Sequence, residues 1–293
     1  MSSPNVSRNI AVGWPERRIM AYAHQGGAWE GPSSTLFAIR QAIEAGASAI
    51  ELDVHATADG ELVVSHDATV DRTTNGQGTI ATMRWDDVRQ LDNAYWWAPG
   101  ADVSPGLAPD AYPYRGMAPK DRDFRVARLE EVLQEFPGVI LNLDIKQTAP
   151  AVPSYEEPLA ELLRKYDRVE DVIVASFLDL ATERFHALAP EIPTAAGTLA
   201  VADFYRAVRD GQVPPKTSHV ALQVPVSFGD TVLVDARFVE VAHECGLAVH
   251  VWTIEEETEM AELCELGVDG IITDRPGVLV SLLRRRGQLW PEA

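Results

Sequence analysis

Residues 236–273 read ARFVEVAHECGLAVHVWTIEEETEMAELCELGVDGIIT. Ala236–Cys245 has the length and pattern of a helix, and Ala248–Ile254 is a run rich in β-branched residues. Glu256–Leu266 is helical again, and Gly270–Thr273 is a short apolar strand. Strands that alternate with helices in this way build a parallel sheet, because each helix carries the chain back to the edge from which the previous strand set out.

Outward from this stretch the unit repeats. Upstream come strand Val139–Lys146, helix Tyr155–Tyr166, strand Val172–Ser176, helix Leu180–Leu188, a short strand near Thr194–Gly197, helix Val201–Arg209 and strand His219–Gln223. Further upstream lie strand Met20–His24, helix Thr35–Ala45, strand Ala49–His55 and a helix near Ala127–Phe136. Downstream, Val278–Arg286 is a last helix. Glu61–His66 follows Ala49–His55 across an Ala-Asp-Gly turn and reads as the second arm of a hairpin. Leaving that arm aside, eight strands each have a helix after them, which predicts an α/β fold: a single (β/α)8 TIM barrel spanning 1–293. The alternative, a doubly wound sheet, announces itself by a G-x-G-x-x-G turn, and His24-Gln25-Gly26-Gly27 lacks that spacing. Asp92–Asp123, rich in Pro, Gly, Trp and Tyr, is a long insertion after the second barrel strand. Long irregular loops of this kind are either self-packed or functional. Here the second option is a cap whose Tyr95, Trp96, Trp97, Tyr112 and Tyr114 line the mouth of the barrel.

Composition narrows the class. With 46% hydrophobic and 24% charged residues, the chain is neither disordered nor fibrous. A formal charge of −19 excludes general nucleic-acid binding, since such a surface repels polyanions. An anionic substrate needs a cation or local basic groups where it binds. Cys245 and Cys264 form no CxxC pair, the segment MSSPNVSRNIAVGWPERR has no apolar signal core, and no apolar run reaches membrane-spanning length. The expected setting is the cytoplasm, and the sequence leaves monomer and homodimer open.

Strands buried on both faces should be almost wholly apolar, yet these carry charge late in their run. Glu51 and Asp53 are two apart and leave the same face; Asp144 and Lys146 repeat the spacing. Three converging carboxylates would repel one another, and a hard divalent ion bound by oxygen alone relieves that conflict. Separate ion pairs at the barrel rim are the other reading. His24 and His66 end their strands and suit an acid/base pair or two structural hydrogen bonds. Lys146 is either a partner for Asp144 or a point charge for a phosphate. Trp252 is either barrel filling or a flat substrate wall. Asp274 is placed equally well as a strand-end group and as a helix N-cap. His186, His219, His243 and His250 have no constellation around them.

In this order AHQGG (23–27), AIELDVHATADGELVVSHDATVDRTTNGQG (49–78), LNLDIK (141–146), VHVWT (249–253) and GVDGIITDRP (267–276) resemble the glycerophosphodiester phosphodiesterases, over nearly the whole chain. The resemblance implies a (β/α)8 barrel and hydrolysis of glycerol phosphodiesters with one divalent metal, Mg2+ or Ca2+, with Mn2+ possible. It makes Glu51, Asp53 and Asp144 the metal ligands, His24 and His66 the catalytic histidines, and Lys146 and Trp252 the phosphate and substrate contacts. Three positions depart from the family pattern. Gln25 replaces an Arg, supplying a hydrogen bond without charge. Pro32-Ser33-Ser34-Thr35 lacks the Glu of Pro-Glu-Asn-Thr, with Glu30 nearby as a stand-in. Asp144 stands where many relatives have Glu. The implied partner is a small phosphodiester, and the implied products are an alcohol and glycerol 3-phosphate. Two further readings are a lysophospholipase D-like enzyme whose 92–123 aromatics take an acyl chain, and a non-catalytic ligand-binding barrel.

Overall fold

The computed structural model describes residues 13–291. Seven parallel strands lie side by side in the order β5 (Val172–Ala175), β4 (Ile140–Ile145), β2 (Ala49–Ala56), β1 (Met20–His24), β10 (Gly270–Thr273), β9 (Ala248–Val251) and β6 (Ala221–Val224). Residues 194–195 close the ring, bridging Val174 to Thr194 on one side and Ala195 to Ala221 on the other. The expected strand at Thr194–Gly197 is thus reduced to a bridge. Pro193 has no N–H to give, and Gly197 already caps the next helix.

β3 (Leu62–Val64) pairs antiparallel with β2, opposing His55 to Val63. It is shorter than the Glu61–His66 arm read from sequence, so His66 sits beyond its end, on a loop. The two-stranded ribbon β7 (Ser227–Phe228) and β8 (Thr231–Val232) and the one-turn helix α2 (Trp85–Val88) were not expected; both are too short to show a period.

Outside the ring lie α1 (Leu36–Ala45), α3 (Leu129–Glu135), α4 (Glu156–Lys165), α5 (Asp179–Leu188), α6 (Thr198–Arg209), α7 (Ala236–Glu244), α8 (Glu257–Leu266) and α9 (Pro276–Arg286). The Thr35 hydroxyl starts α1 by accepting from the Ala38 amide, and Gly46 ends it in the left-handed conformation. Leu52, Val54, Leu141, Leu143 and Ile145 point outward and pack under α1, α3 and α4. The alternate positions point inward: Trp14, Met20, Tyr22, Ile140, Ile173 and Ile272, set against Ala49, Ala195, Ala221 and Ala248. The four alanines leave the room that the large rings and Met20 fill.

In the 92–123 insertion, Tyr95 meets Trp96, Trp96 meets Tyr112, and Trp97 stacks on Tyr114 at 5.5 Å. Tyr114 continues onto Phe124, and the Arg115 guanidinium lies over Tyr95, Trp96 and Tyr112. Phe37 of α1 also packs on Tyr114. The aromatic side chains are largely occupied with one another and with α1.

Below the strand ends, His250 is fully buried inside the ring, 5.0 Å from Tyr22 ring to ring. Gly270 makes room for both: a Cβ there would fall 2.8 Å from Tyr22 and 2.9 Å from His250. Asn142 Nδ2 donates to Gln223 Oε1, and Gln223 Nε2 faces His250 Nδ1 at 3.4 Å. Burial lowers the His250 pKa to about 3 from an ordinary 6.5. Below pH 6.5 the unfolded chain therefore binds more protons than the native one, and stability falls as pH falls. By about pH 5 the cost should reach about 2 kcal/mol. Urea midpoints of wild type and His250→Gln should show the wild-type advantage shrinking by that much between about pH 7 and about pH 5. An advantage constant across that range would mean that His250 takes no part in acid sensitivity.

Candidate active site

Strand register brings the polar residues together. His24 lies opposite Glu51 across β1 and β2, while Glu51 faces Asn142 and Asp53 faces Asp144 across β2 and β4. Because residues two apart share a face, Glu51, Asp53, Asp144 and Lys146 all enter the ring at its C-terminal end. The three carboxyl residues are 6%, 2% and 7% exposed, which few carboxylates reach unless paired. Lys146 supplies part of the pairing: its ammonium is 3.0 Å from Asp53 Oδ1 and 3.2 Å from Asp144 Oδ2.

One ammonium does not balance three carboxylates. Burial, then the charge of Asp53, pushes the Glu51 carboxyl far above its usual range. Burial also raises Asp144, against the pull of Lys146. Asp53 Oδ2, Asp144 Oδ1, Asn142 Oδ1 and Gln25 Oε1 are buried without a hydrogen-bond partner. Among the described residues no three His, Cys, Asp or Glu side chains are drawn in tightly enough to enclose an ion. The donor set still suits a hard cation, since the carboxylates lie on neighbouring strands on the same face and two of their oxygens face no donor among the described residues.

Two imidazoles stand over these carboxylates, their ring centres 6.5 Å apart and nearly perpendicular. His24 Nδ1 is 2.6 Å from Asp274 Oδ1, and its Nε2 lies 3.9 Å from Glu51. Burial disfavours charge on His24, but the Asp274 hydrogen bond and the charges of Glu51, Asp274 and Asp53 outweigh it and raise its pKa to about 9. His66 Nδ1 is 2.7 Å from Asp67 Oδ1, and its backbone carbonyl faces His55 Nε2 at 3.4 Å. In each histidine Nδ1 is the nitrogen held by a close carboxylate.

The turn after β1 brings Gln25 beside His24. Gln25 has φ 52, a left-handed value that a non-glycine residue rarely adopts, and its amide donates to Glu51 Oε2 at 3.2 Å. Its side-chain nitrogen lies 3.2 Å from His24 Nε2. A Cβ on Gly27 would strike the Pro276 ring at 2.7 Å, so glycine lets this turn lie against α9. Trp252 is half-buried past β9, edge-on to Phe177 at 5.4 Å, and the Lys146 ammonium is 5.7 Å from the Phe177 ring.

Several partners were not read from sequence. Asp67 directly follows His66, and that adjacent His-Asp pair after the hairpin strand is the signal that could have pointed to it. Asp274 is the His24 partner rather than the N-cap of α9, a position that Arg275 takes. Glu30, the carboxylate nearest the altered Pro32–Thr35 stretch, accepts from the Gly277 amide at the start of α9. His219 and His243 have structural partners, Thr194 at 2.8 Å and Asp269 at 2.8 Å.

Residues 24–278 match the model of the Glycerophosphoryl diester phosphodiesterase family. The chain is 30% identical over 276 residues to a glycerophosphodiester phosphodiesterase of Caldanaerobacter subterraneus subsp. tengcongensis, covering 92% of this chain and all of that protein. A glycerophosphodiester phosphodiesterase of Bacillus subtilis is 30% identical over 266 residues, covering 88% of this chain and 84% of that protein. An Oleispira antarctica phosphodiesterase, solved in complex with the product sn-glycerol-3-phosphate, superimposes with a TM-score of 0.69 at 23% identity, covering 93% of this chain and 100% of that one.

Proposed function

The chain belongs to the glycerophosphoryl diester phosphodiesterase family, and on that premise we propose that it hydrolyses a glycerophosphodiester to an alcohol and glycerol 3-phosphate, with Glu51, Asp53 and Asp144 holding one divalent ion and His24 and His66 moving the protons. The observation that carries this reading is the pair of facing imidazoles, each fixed by a carboxylate at Nδ1. A divalent ion (Mg2+ or Ca2+, with Mn2+ the other choice) held by these carboxylates would supply positive charge to offset that of the phosphate and its transition state.

Asp274 and Asp67 accept from Nδ1–H, which leaves both Nε2 atoms to exchange protons in the cavity. One histidine takes the proton of the nucleophile, either water or a neighbouring glycerol hydroxyl that gives a cyclic phosphate. The other donates to the departing alcohol oxygen. Lys146 adds a point charge for the phosphate, Gln25 an uncharged amide donor, and Trp252 with Phe177 an apolar wall. Local charge reversal of this kind lets a −19 chain accept an anion. The test is metal-stripped protein given each ion with glycerophosphocholine, scored by release of glycerol 3-phosphate. Failure with all three ions, on this diester and on bis(p-nitrophenyl) phosphate alike, would favour a non-catalytic barrel.

A second reading, a lysolipid substrate, draws support from exposed apolar side chains on loops that follow the barrel strands. Phe177 is 54% exposed, Leu199 at the start of α6 67%, and Phe228 on the β7–β8 ribbon 77%. Thr198 bonds to the Phe177 carbonyl, which puts Leu199 beside Phe177, and the Trp252 amide bonds to the end of β6, where the ribbon begins. An acyl chain would then run over this rim rather than into the insertion. Lysophosphatidylcholine should be cleaved at least as well as glycerophosphocholine, and Phe228→Ser should slow only the former. Equal losses on both substrates would leave the rim without a role in substrate choice.

Among the described residues no helix is long and apolar enough to cross a membrane. The two free thiols, Cys245 and Cys264, fit a reducing cytoplasm.

A further inference from the structure

We propose that Asp102, in the 92–123 insertion, is a positioning residue for His66, acting through Arg72 and Asp67. This rests on His66 being one of the two proton carriers. β3 ends at Val64, so no strand holds His66, and its side chain is 41% exposed. Packing alone does not hold such a ring.

Its fixed point is Asp67, and Asp67, the next residue on the same loop, brings no distant constraint of its own. Arg72 brings one. Its Nε donates to Asp67 Oδ2 at 2.6 Å and its Nη2 to Oδ1 at 3.3 Å, so the planar fork holds both carboxylate oxygens. The remaining arm, Nη1, donates to Asp102, thirty residues further on.

Among the described residues Asp102 has no other partner: its second oxygen is buried and accepts no hydrogen bond. The segment around it is anchored independently of the 66–72 loop. The Gly100 amide donates to the Trp29 carbonyl at 2.9 Å, the Ser104 amide to Trp96 at 2.9 Å, and the Trp97 indole to Ala28 at 2.8 Å. The chain of charges thus runs from a tied-down segment to a loop that needs holding. Its effect on the ring is specific. An ionised Asp67, gripped by the guanidinium, only accepts, so the His66 proton stays on Nδ1 and Nε2 faces the cavity.

The test is Asp102→Asn and Arg72→Lys, with His66→Ala as reference. Both variants should lose roughly tenfold in kcat with KM within about threefold of wild type. Long-range 1H–15N spectra should show the His66 proton held on Nδ1 in the wild type and shared between both nitrogens in the variants. Adding Asp102→Asn to His66→Ala should cost nothing more. If kcat in Asp102→Asn stays within about twofold of wild type while His66→Ala is crippled, the positioning role falls alone. A lower Tm with an unchanged His66 spectrum would likewise reduce Asp102 to a structural brace. Normal turnover by His66→Ala would remove the reading of His66 itself, and the role of Asp102 with it.

Discussion

Asp53→Asn is expected to cost ~10³-fold or more in turnover, because a bound divalent ion supplies several kcal/mol of transition-state stabilisation and each ~1.4 kcal/mol is tenfold. Asp53 is the most deeply buried of the three carboxylates, and it holds Lys146 through one oxygen while the other faces no donor. An amide at this position keeps the volume but removes a charge from the proposed ligand set and from the Lys146 pair together. Calorimetric titration should therefore show weaker Mg2+ or Mn2+ binding in step with the lost activity. Treating the wild type with a chelator should reproduce the loss, and adding the ion back should reverse it; Asp53→Asn should not be rescued at the same ion concentration. Full activity in chelator, or in Asp53→Asn, would leave Glu51, Asp53 and Asp144 as ion pairs of a metal-independent site.

His24→Ala is expected to lower kcat by ~10²–10⁴-fold, the usual contribution of one positioned acid or base. KM should move far less, since binding of the phosphate falls to Lys146, Gln25 and the ion in the proposed scheme. The loss should be smaller for a diester whose leaving group needs no proton, such as bis(p-nitrophenyl) phosphate, if His24 is the general acid. It should be equal for both substrates if His24 is the base. That comparison, made also for His66→Ala, assigns the two roles. Turnover in His24→Ala close to wild type on glycerophosphocholine would sink the two-histidine scheme.

Much of the fold is legible in the chain alone. The alternation of strand and helix is carried by local periodicity, and Glu51, Asp53 and Asp144 each interrupt an otherwise apolar strand. Glu51 and Asp53, or Asp144 and Lys146, share a face because a strand repeats every two residues, and no tertiary contact is needed to know it. What stayed hidden was identity of partner. Asp274 is 250 residues from His24 in sequence, and only their shared place at the C-terminal rim joins them. The aromatic insertion showed its composition but not its contacts, which proved to be chiefly with itself and with α1.

The sequence by itself determined the main barrel strands and helices, their alternation and the polar side chains that interrupt apolar strands, because those follow from backbone periodicity and burial within a few residues. Tertiary structure alone decided that residues 194–195 close the ring, that Lys146 lies between Asp53 and Asp144, and that Asp102 reaches His66 through Arg72. The reason is that such pairings depend on the register and spacing of segments remote in sequence. No local propensity encodes these, and they emerge only once the packed barrel brings the segments together.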